Sequence, residues 1–221
     1  MSHDDFDFEP IPGLPRRLPP GERILWQGAP AAGSFAWRFL RLPHLTGYFV
    51  ALLGWVVVAG AIDGTPVREI AASAAGYGAL ALLALGLVWG YAGLVERTTV
   101  YTMTNRRLVI RAGIALPVAF NLPFSRIDGA SMRAFPDGTG DIALALPEGQ
   151  RIAYLALWPH ARGFRTARPE PALRCVPDVR AVADALAQAL AGGPQAAVAP
   201  KTRAAPADEA GHVPDLRGHA A

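Results

Sequence analysis

The densest run of chemically able side chains is Trp158-Pro159-His160-Ala161-Arg162-Gly163-Phe164-Arg165-Thr166-Ala167-Arg168-Pro169. It carries three guanidiniums, an imidazole and two aromatic rings. That mixture suits anion recognition, because guanidinium forks bind phosphates and carboxylates through paired hydrogen bonds. Asn105-Arg106-Arg107 is a second basic point. Trp158, His160, Arg162, Arg165 and Arg168, together with Arg106 and Arg107, are therefore candidate contacts for lipid headgroups or for an acidic partner. The plainer alternative is a solvated basic face beside anionic lipid, which any juxtamembrane domain can present.

Other chemistry finds little support. The histidines are His3, His44, His160, His212 and His219, and no pair has metal-ligand spacing on one element. His44 stands at the mouth of an apolar run, where a chlorophyll-like pigment could use it; an interfacial histidine without that role is the plainer reading. Asp137-Gly138-Thr139-Gly140-Asp141 faintly resembles a phosphate loop but lacks the lysine and the following helix, so it reads as a hairpin turn. The lone cysteine, Cys175, builds no disulfide framework and reads as a small, half-buried side chain. No serine or cysteine has a visible base partner. The expectation is a chain that is not an enzyme and carries no metal or cofactor. A formal net charge of +3 is too small to argue for nucleic acid.

The elements that must position these residues follow from hydropathy. Hydrophobic residues make up 52% of the 221 and point to a membrane class. Residues 1–10 are acidic and lack a secretory h-region, so the N-terminus is expected to stay in the cytoplasm. Residues 1–44 form a Pro- and Gly-punctuated cytoplasmic segment. It contains a strand-like run at Glu22–Gly28 and, at 34–41, either a short amphipathic helix on the membrane surface or a plain linker. Leu45–Ile62 and Ile70–Val95 are free of charge over 18 and 26 residues. A crossing needs about 20 apolar residues, so 45–95 reads as a transmembrane helical hairpin. Its seven-residue break, Asp63–Glu69, is the turn.

Arg38 and Arg41 precede the first span, and Arg97, Arg106, Arg107 and Arg111 follow the second. The positive-inside rule then sets both termini in the cytoplasm and the connecting loop outside. Neither span holds an ionisable side chain, which argues against a pump or carrier. Gly86, Gly90 and Gly93 are candidate helix-packing positions, either against the first span or against a partner's helix; a homodimer is one such arrangement.

From Thr98 the hydrophobic period falls to two. Val100–Thr104, Leu108–Arg111, Ile114–Phe124, Arg126–Phe135, Asp141–Leu146 and Arg151–Trp158 read as strands. Pro159–Pro177 reads as irregular. Val179, Val182, Ala183, Leu186 and Leu190 then share one face of a helix with Asp178 as N-cap. The fold class expected is an α+β membrane protein: a two-helix hairpin followed, over 96–192, by a PH-like small β-barrel or sandwich capped by a C-terminal helix. The tail 193–221 reads as disordered.

Gly21-Glu22-Arg23-Ile24-Leu25-Trp26-Gln27-Gly28 and Val100-Tyr101-Thr102-Met103-Thr104-Asn105-Arg106-Arg107-Leu108-Val109 resemble segments that flank the hairpin in bacterial PH-domain membrane proteins. The chain also resembles, over about 6–191, the PuhB-type photosynthetic complex assembly family of purple bacteria. The matching pieces include Phe6–Pro15, Asn121–Ser125, Asp137–Leu144, Leu157-Trp158-Pro159-His160-Ala161-Arg162 and Leu173-Arg174-Cys175-Val176-Pro177-Asp178. That resemblance implies a non-catalytic role in assembling the reaction centre and core light-harvesting complex, with their subunits as partners. The alternative is a membrane-tethered PH-domain protein that binds lipid or acts as a scaffold.

Overall fold

The computed structural model describes residues 13–14, 16–113, 118–147, 157–162 and 169–192. Strand β1, Ile24–Gly28, comes first. A short helix α1, Ala32–Ser34, runs directly into a five-residue π-helical turn, Phe35–Phe39. Helices α2, Leu42–Ile62, and α3, Val67–Thr98, follow. Both are long and apolar enough to cross a membrane. They pack on each other as a hairpin; at Gly60 a β-carbon would lie 2.8 Å from Ile70 Cγ1, so glycine allows the close contact there.

Two antiparallel sheets come next. The first has the order β1-β2-β3-β4, with β2 at Val100–Thr104, β3 at Arg107–Ala112 and β4 at Val118–Pro123. The second has the order β5-β6-β7, with β5 at Gly129–Ala134, β6 at Gly140–Ala145 and β7 at Ala172–Val176. Helix α4, Val179–Leu190, lays Val179, Val182, Leu186 and Ala189 into the core between them. That core also holds Tyr101, Leu108, Ile110, Ile142, Leu144 and Leu173. Asp178 does occupy the N-cap position, but in a left-handed conformation and with no side-chain capping bond.

The structure redraws the expected domain boundary. β1 pairs with β2 across the whole hairpin, with Gln27 opposite Thr102 and Gly28 opposite Tyr101. The helices are thus inserted between two neighbouring strands of one sheet and leave it from the same end. β1 delivers Leu25 and Trp26 to the core, where they are 2% and 5% exposed. A fragment 96–192, cut on the boundary read from sequence, is expected to behave as an expanded, cooperatively unfolded chain. Near-ultraviolet dichroism checks this: a native-like aromatic signal from that fragment would mean β1 is dispensable.

β7 corrects the expectation that Pro159–Pro177 is irregular. Gly140 pairs with Val176 and Ile142 with Leu173, so β7 carries one extra residue between these pairs. This bulge puts Cys175 at φ +47° and breaks the two-residue period that would have revealed the strand. Of the expected strand Ile114–Phe124, residues 118–123 form β4 and 114–117 lie outside the described residues. Of Arg151–Trp158, residues 151–156 lie outside them as well, and Leu157 and Trp158 belong to a turn. The tail 193–221 also lies outside the described residues.

Candidate functional site

One face of the last two turns of α3 is buried in the protein, although Leu94 and Arg97 remain exposed. Ala92 and Val95 are buried against Phe35 and Ala36, with Cys175 of β7 completing this second core. The segment expected to form a surface helix at 34–41 is therefore half a packing element: Phe35 and Ala36 point inward, while Trp37 is 58% exposed. Polar contacts pin it to the second sheet. Ala31 N–H donates to the Cys175 carbonyl at 3.0 Å. Ser34 and Thr139 hydroxyls lie 2.7 Å apart. Arg38 reaches Asp137 at 3.5 Å and covers the Phe135 ring at 4.3 Å. The Asp137–Asp141 segment is thus a turn that holds the chain ahead of the hairpin, with the Asp137 carboxylate accepting from Thr139 at 2.8 Å. Burial alone would raise the Asp137 carboxyl, but the Thr139 bonds and the Arg38 charge outweigh it and hold the carboxyl below its ordinary range.

Beside this junction stands the loop Leu157–Arg162, built on a cis Trp158–Pro159 bond. Trp158 stacks on Tyr91 of α3 with centroids 6.0 Å apart and leans toward Phe39 at 6.5 Å. It remains 46% exposed. A cleft of about 250 Å³, lined by Tyr91, Val95, Thr99, Trp158 and His160 among others, opens where α3 meets the first sheet.

His160 is not a surface contact, contrary to the expectation. It is 2% exposed. Its Nδ1 lies 2.7 Å from the Tyr101 hydroxyl and its Nε2 lies 3.3 Å from the Thr99 hydroxyl. The Tyr101 oxygen accepts the Arg174 backbone N–H at 3.1 Å. Its own proton is therefore free to go to Nδ1, which leaves the ring proton on Nε2, facing Thr99. Burial, with the Arg174 charge nearby, pushes the imidazole pKa down to about 3, so His160 is neutral at any physiological pH. Burial likewise raises the Tyr101 phenol far above its usual value.

Arg174 and Asp141 extend this network. The Arg174 guanidinium donates to Asp141 Oδ2 at 2.8 Å and to the Ala161 carbonyl. Asp141 Oδ1 accepts the Cys175 N–H at 2.9 Å, satisfying the bulge amide. Burial and the Asp141 carboxylate push the Cys175 thiol up to about 12, which makes it a poor nucleophile. Sequence reading passed over Tyr101, Asp141 and Arg174. Their only local signal was polarity at inward-facing strand positions.

The remaining basic candidates separate. Arg162 is exposed and bonds Glu170 at 3.0 Å and the Ser131 hydroxyl at 3.1 Å. Arg165 and Arg168 lie outside the described residues. Arg107 is not a free contact: it grips Glu22 through Nε at 2.7 Å and Nη2 at 3.0 Å. The Glu22 side chain is only 2% exposed. Burial would raise the Glu22 carboxyl, but hydrogen bonds from Arg107 and Thr104 and the charges of Arg107 and Arg106 hold it below its ordinary value. Arg106 is exposed, at the opposite end of the first sheet from the helices. Among the described residues, Arg106 and Arg107 thus stand at the β2–β3 end of the first sheet, while Arg162 bonds to β5 of the second. Gly86, Gly90 and Gly93 do not pack on α2, because a β-carbon at any of them would meet nothing within 4 Å. Among the described residues, no group of three His, Cys, Asp or Glu is placed to hold a metal ion.

This architecture agrees with the comparisons. The family model described as Bacterial PH domain matches residues 48–190, from the first turns of α2 to the end of α4. A relative from Rhodobacter capsulatus, described as an uncharacterized 23.7 kDa protein in the puhA 5′ region, is 37% identical over 179 residues, covering 80% of this chain and 84% of the relative. No solved structure matches the chain. A helical hairpin set into two antiparallel sheets closed by a C-terminal helix, matched by that model over most of its length, places this chain in the bacterial PH domain family.

Proposed function

We propose that this protein is a non-catalytic membrane assembly factor for the bacterial photosynthetic reaction centre and core light-harvesting complex. The observation that carries the reading is its 37% identity, over 80% of the chain, to a protein named for its place in the 5′ region of puhA, a photosynthesis gene. The motifs shared with the PuhB-type family support it.

In this reading α2 and α3 cross the inner membrane with both termini in the cytoplasm. Helix α3, at 32 residues, is about 48 Å long, against roughly 30 Å of hydrocarbon. Its surplus is the stretch buried against Phe35 and Ala36, so the helix continues rigidly into the sheets. A partner helix that tilts or displaces α3 would reorient the whole cytoplasmic domain. Gly86 and Gly90, open on the outer face of α3, admit the close approach of such a helix. Trp158, half-exposed at the helix exit, favours a second reading in which the domain serves mainly to hold lipid headgroups.

Deleting the gene is expected to reduce the near-infrared reaction-centre and core-antenna bands of the membranes several-fold. The wild-type gene should restore them, while a Gly86→Ile, Gly90→Ile double variant should not, although it inserts normally. An unchanged spectrum in the deletion strain would reject the assembly role and leave lipid binding as the leading reading.

A further inference from the structure

The end of the first sheet farthest from the helices has a composition of its own. β1 begins there, the β2–β3 turn lies there and β4 ends there. Hydrogen bonds tie the three segments together: Arg23 N–H donates to Asn105 Oδ1 at 3.0 Å, Asn105 Nδ2 to the Gly21 carbonyl at 3.0 Å, and Phe124 N–H to the Arg106 carbonyl at 3.0 Å. Arg23, Arg106 and Arg126 are exposed on this framework. Arg16 and Arg17, also exposed, lie on the segment that leads into it. With Arg107 that makes six arginines against two carboxylates, Glu22 and Asp128. Glu22 is already consumed, because it is buried under Arg107. A chain whose formal net charge is only +3 has gathered more than that surplus at one end.

Three properties define what fits there. The cations of the cluster are arginines, as are all the basic Lys and Arg side chains of the chain but Lys201, and arginine binds carboxylates bidentately through a planar fork. The Arg107–Glu22 pair inside the cluster already displays that geometry. The surface also stands a strand's length, about 16 Å, beyond the point where the helices leave the sheet. That exceeds a Debye length of about 8 Å at physiological salt, so the chain's own bilayer does not neutralise it.

We infer that the Arg23–Arg106–Arg126 surface docks an acidic polypeptide segment of a cytoplasmic or cytoplasm-facing partner, through carboxylate–guanidinium pairs. This inference stands on the sheet geometry and does not require the partner to be photosynthetic. It assigns Arg106 to protein recognition rather than to lipid.

The test uses the full chain in phosphatidylcholine nanodiscs, with a fluorescein-labelled decaglutamate peptide as probe and anisotropy as readout. Arg23→Gln, Arg106→Gln and Arg126→Gln together are expected to weaken peptide binding at least tenfold. A control of equal charge loss on other exposed arginines, Arg68→Gln, Arg97→Gln and Arg180→Gln, should weaken it less than twofold. Matching melting curves for the two triple variants exclude a folding defect, because none of these side chains lies in the core. Absence of peptide binding by the wild type, or equal losses in the two variants, would overturn the inference. So would a triple variant that keeps peptide binding but loses capture of phosphatidylserine vesicles, an outcome that gives the surface to the membrane.

Discussion

Acidification from pH 6.5 to 5 is expected to lower the stability of this protein by about 2 kcal/mol through His160 alone. The imidazole has an ordinary pKa of 6.5 in the unfolded chain and one of about 3 in the fold. Between those values the unfolded state takes up a proton and the folded state does not, so stability is full above pH 6.5 and is lost progressively as pH falls toward 3. The slope is about 1.4 kcal/mol per pH unit for one proton. The cause is structural. Nδ1 is occupied as an acceptor of the Tyr101 hydroxyl, so a second ring proton would have to displace that bond while facing the Arg174 charge. His160→Gln removes the titration, and its melting temperature should vary with pH less steeply than that of the wild type in this window. Parallel pH profiles for the two proteins would sink the account.

Asp141→Ala is expected to cost about 3 kcal/mol, the low end of the range for stripping one partner from a buried ion pair, because this pair is only partly buried. Two groups lose their acceptor at once: the Arg174 guanidinium, whose side chain is 12% exposed, and the Cys175 amide at the bulge. Arg174 Nε is already buried without a partner, so the guanidinium has little alternative. Asp141→Asn keeps an acceptor for the amide but surrenders the charge, and should fall between the alanine variant and the wild type. Thermal unfolding followed by tryptophan fluorescence distinguishes the three. An alanine variant as stable as the wild type would mean that the bulge is held by packing alone.

These two residues also mark how the candidate site differs from its appearance in sequence. Trp158-Pro159-His160-Ala161-Arg162 reads as a continuous recognition surface because aromatic, cationic and imidazole groups crowd together. Folding separates them. Trp158 goes to the helix exit, Arg162 to an ion pair with Glu170, and His160 to the interior, where Tyr101 had no sequence-local reason to await it. Asn105-Arg106-Arg107 divides in the same way: Arg106 sits in the β2–β3 turn with its guanidinium in solvent, while Arg107 opens β3 and reaches Glu22. Arg107 and Glu22 lie 85 residues apart in the chain, and only the β1–β2–β3 register brings them together.

The properties legible in the sequence were those that depend on near neighbours. Two uncharged runs long enough to cross a bilayer, the two-residue period of β2, β3, β4 and β6, and the amphipathic face of α4 are all written within a dozen or so residues each. So is the order of hairpin, strands and final helix. The tertiary structure decided what depends on distant partners: that β1 closes onto β2 across the inserted hairpin, that Ala172–Val176 pairs with β6 despite its bulge, and that the end of α3 packs on Phe35 and Ala36. Periodicity reports how a segment faces its surroundings. It carries no record of which distant segment supplies them, and a buried polar side chain acquires its meaning only from that partner.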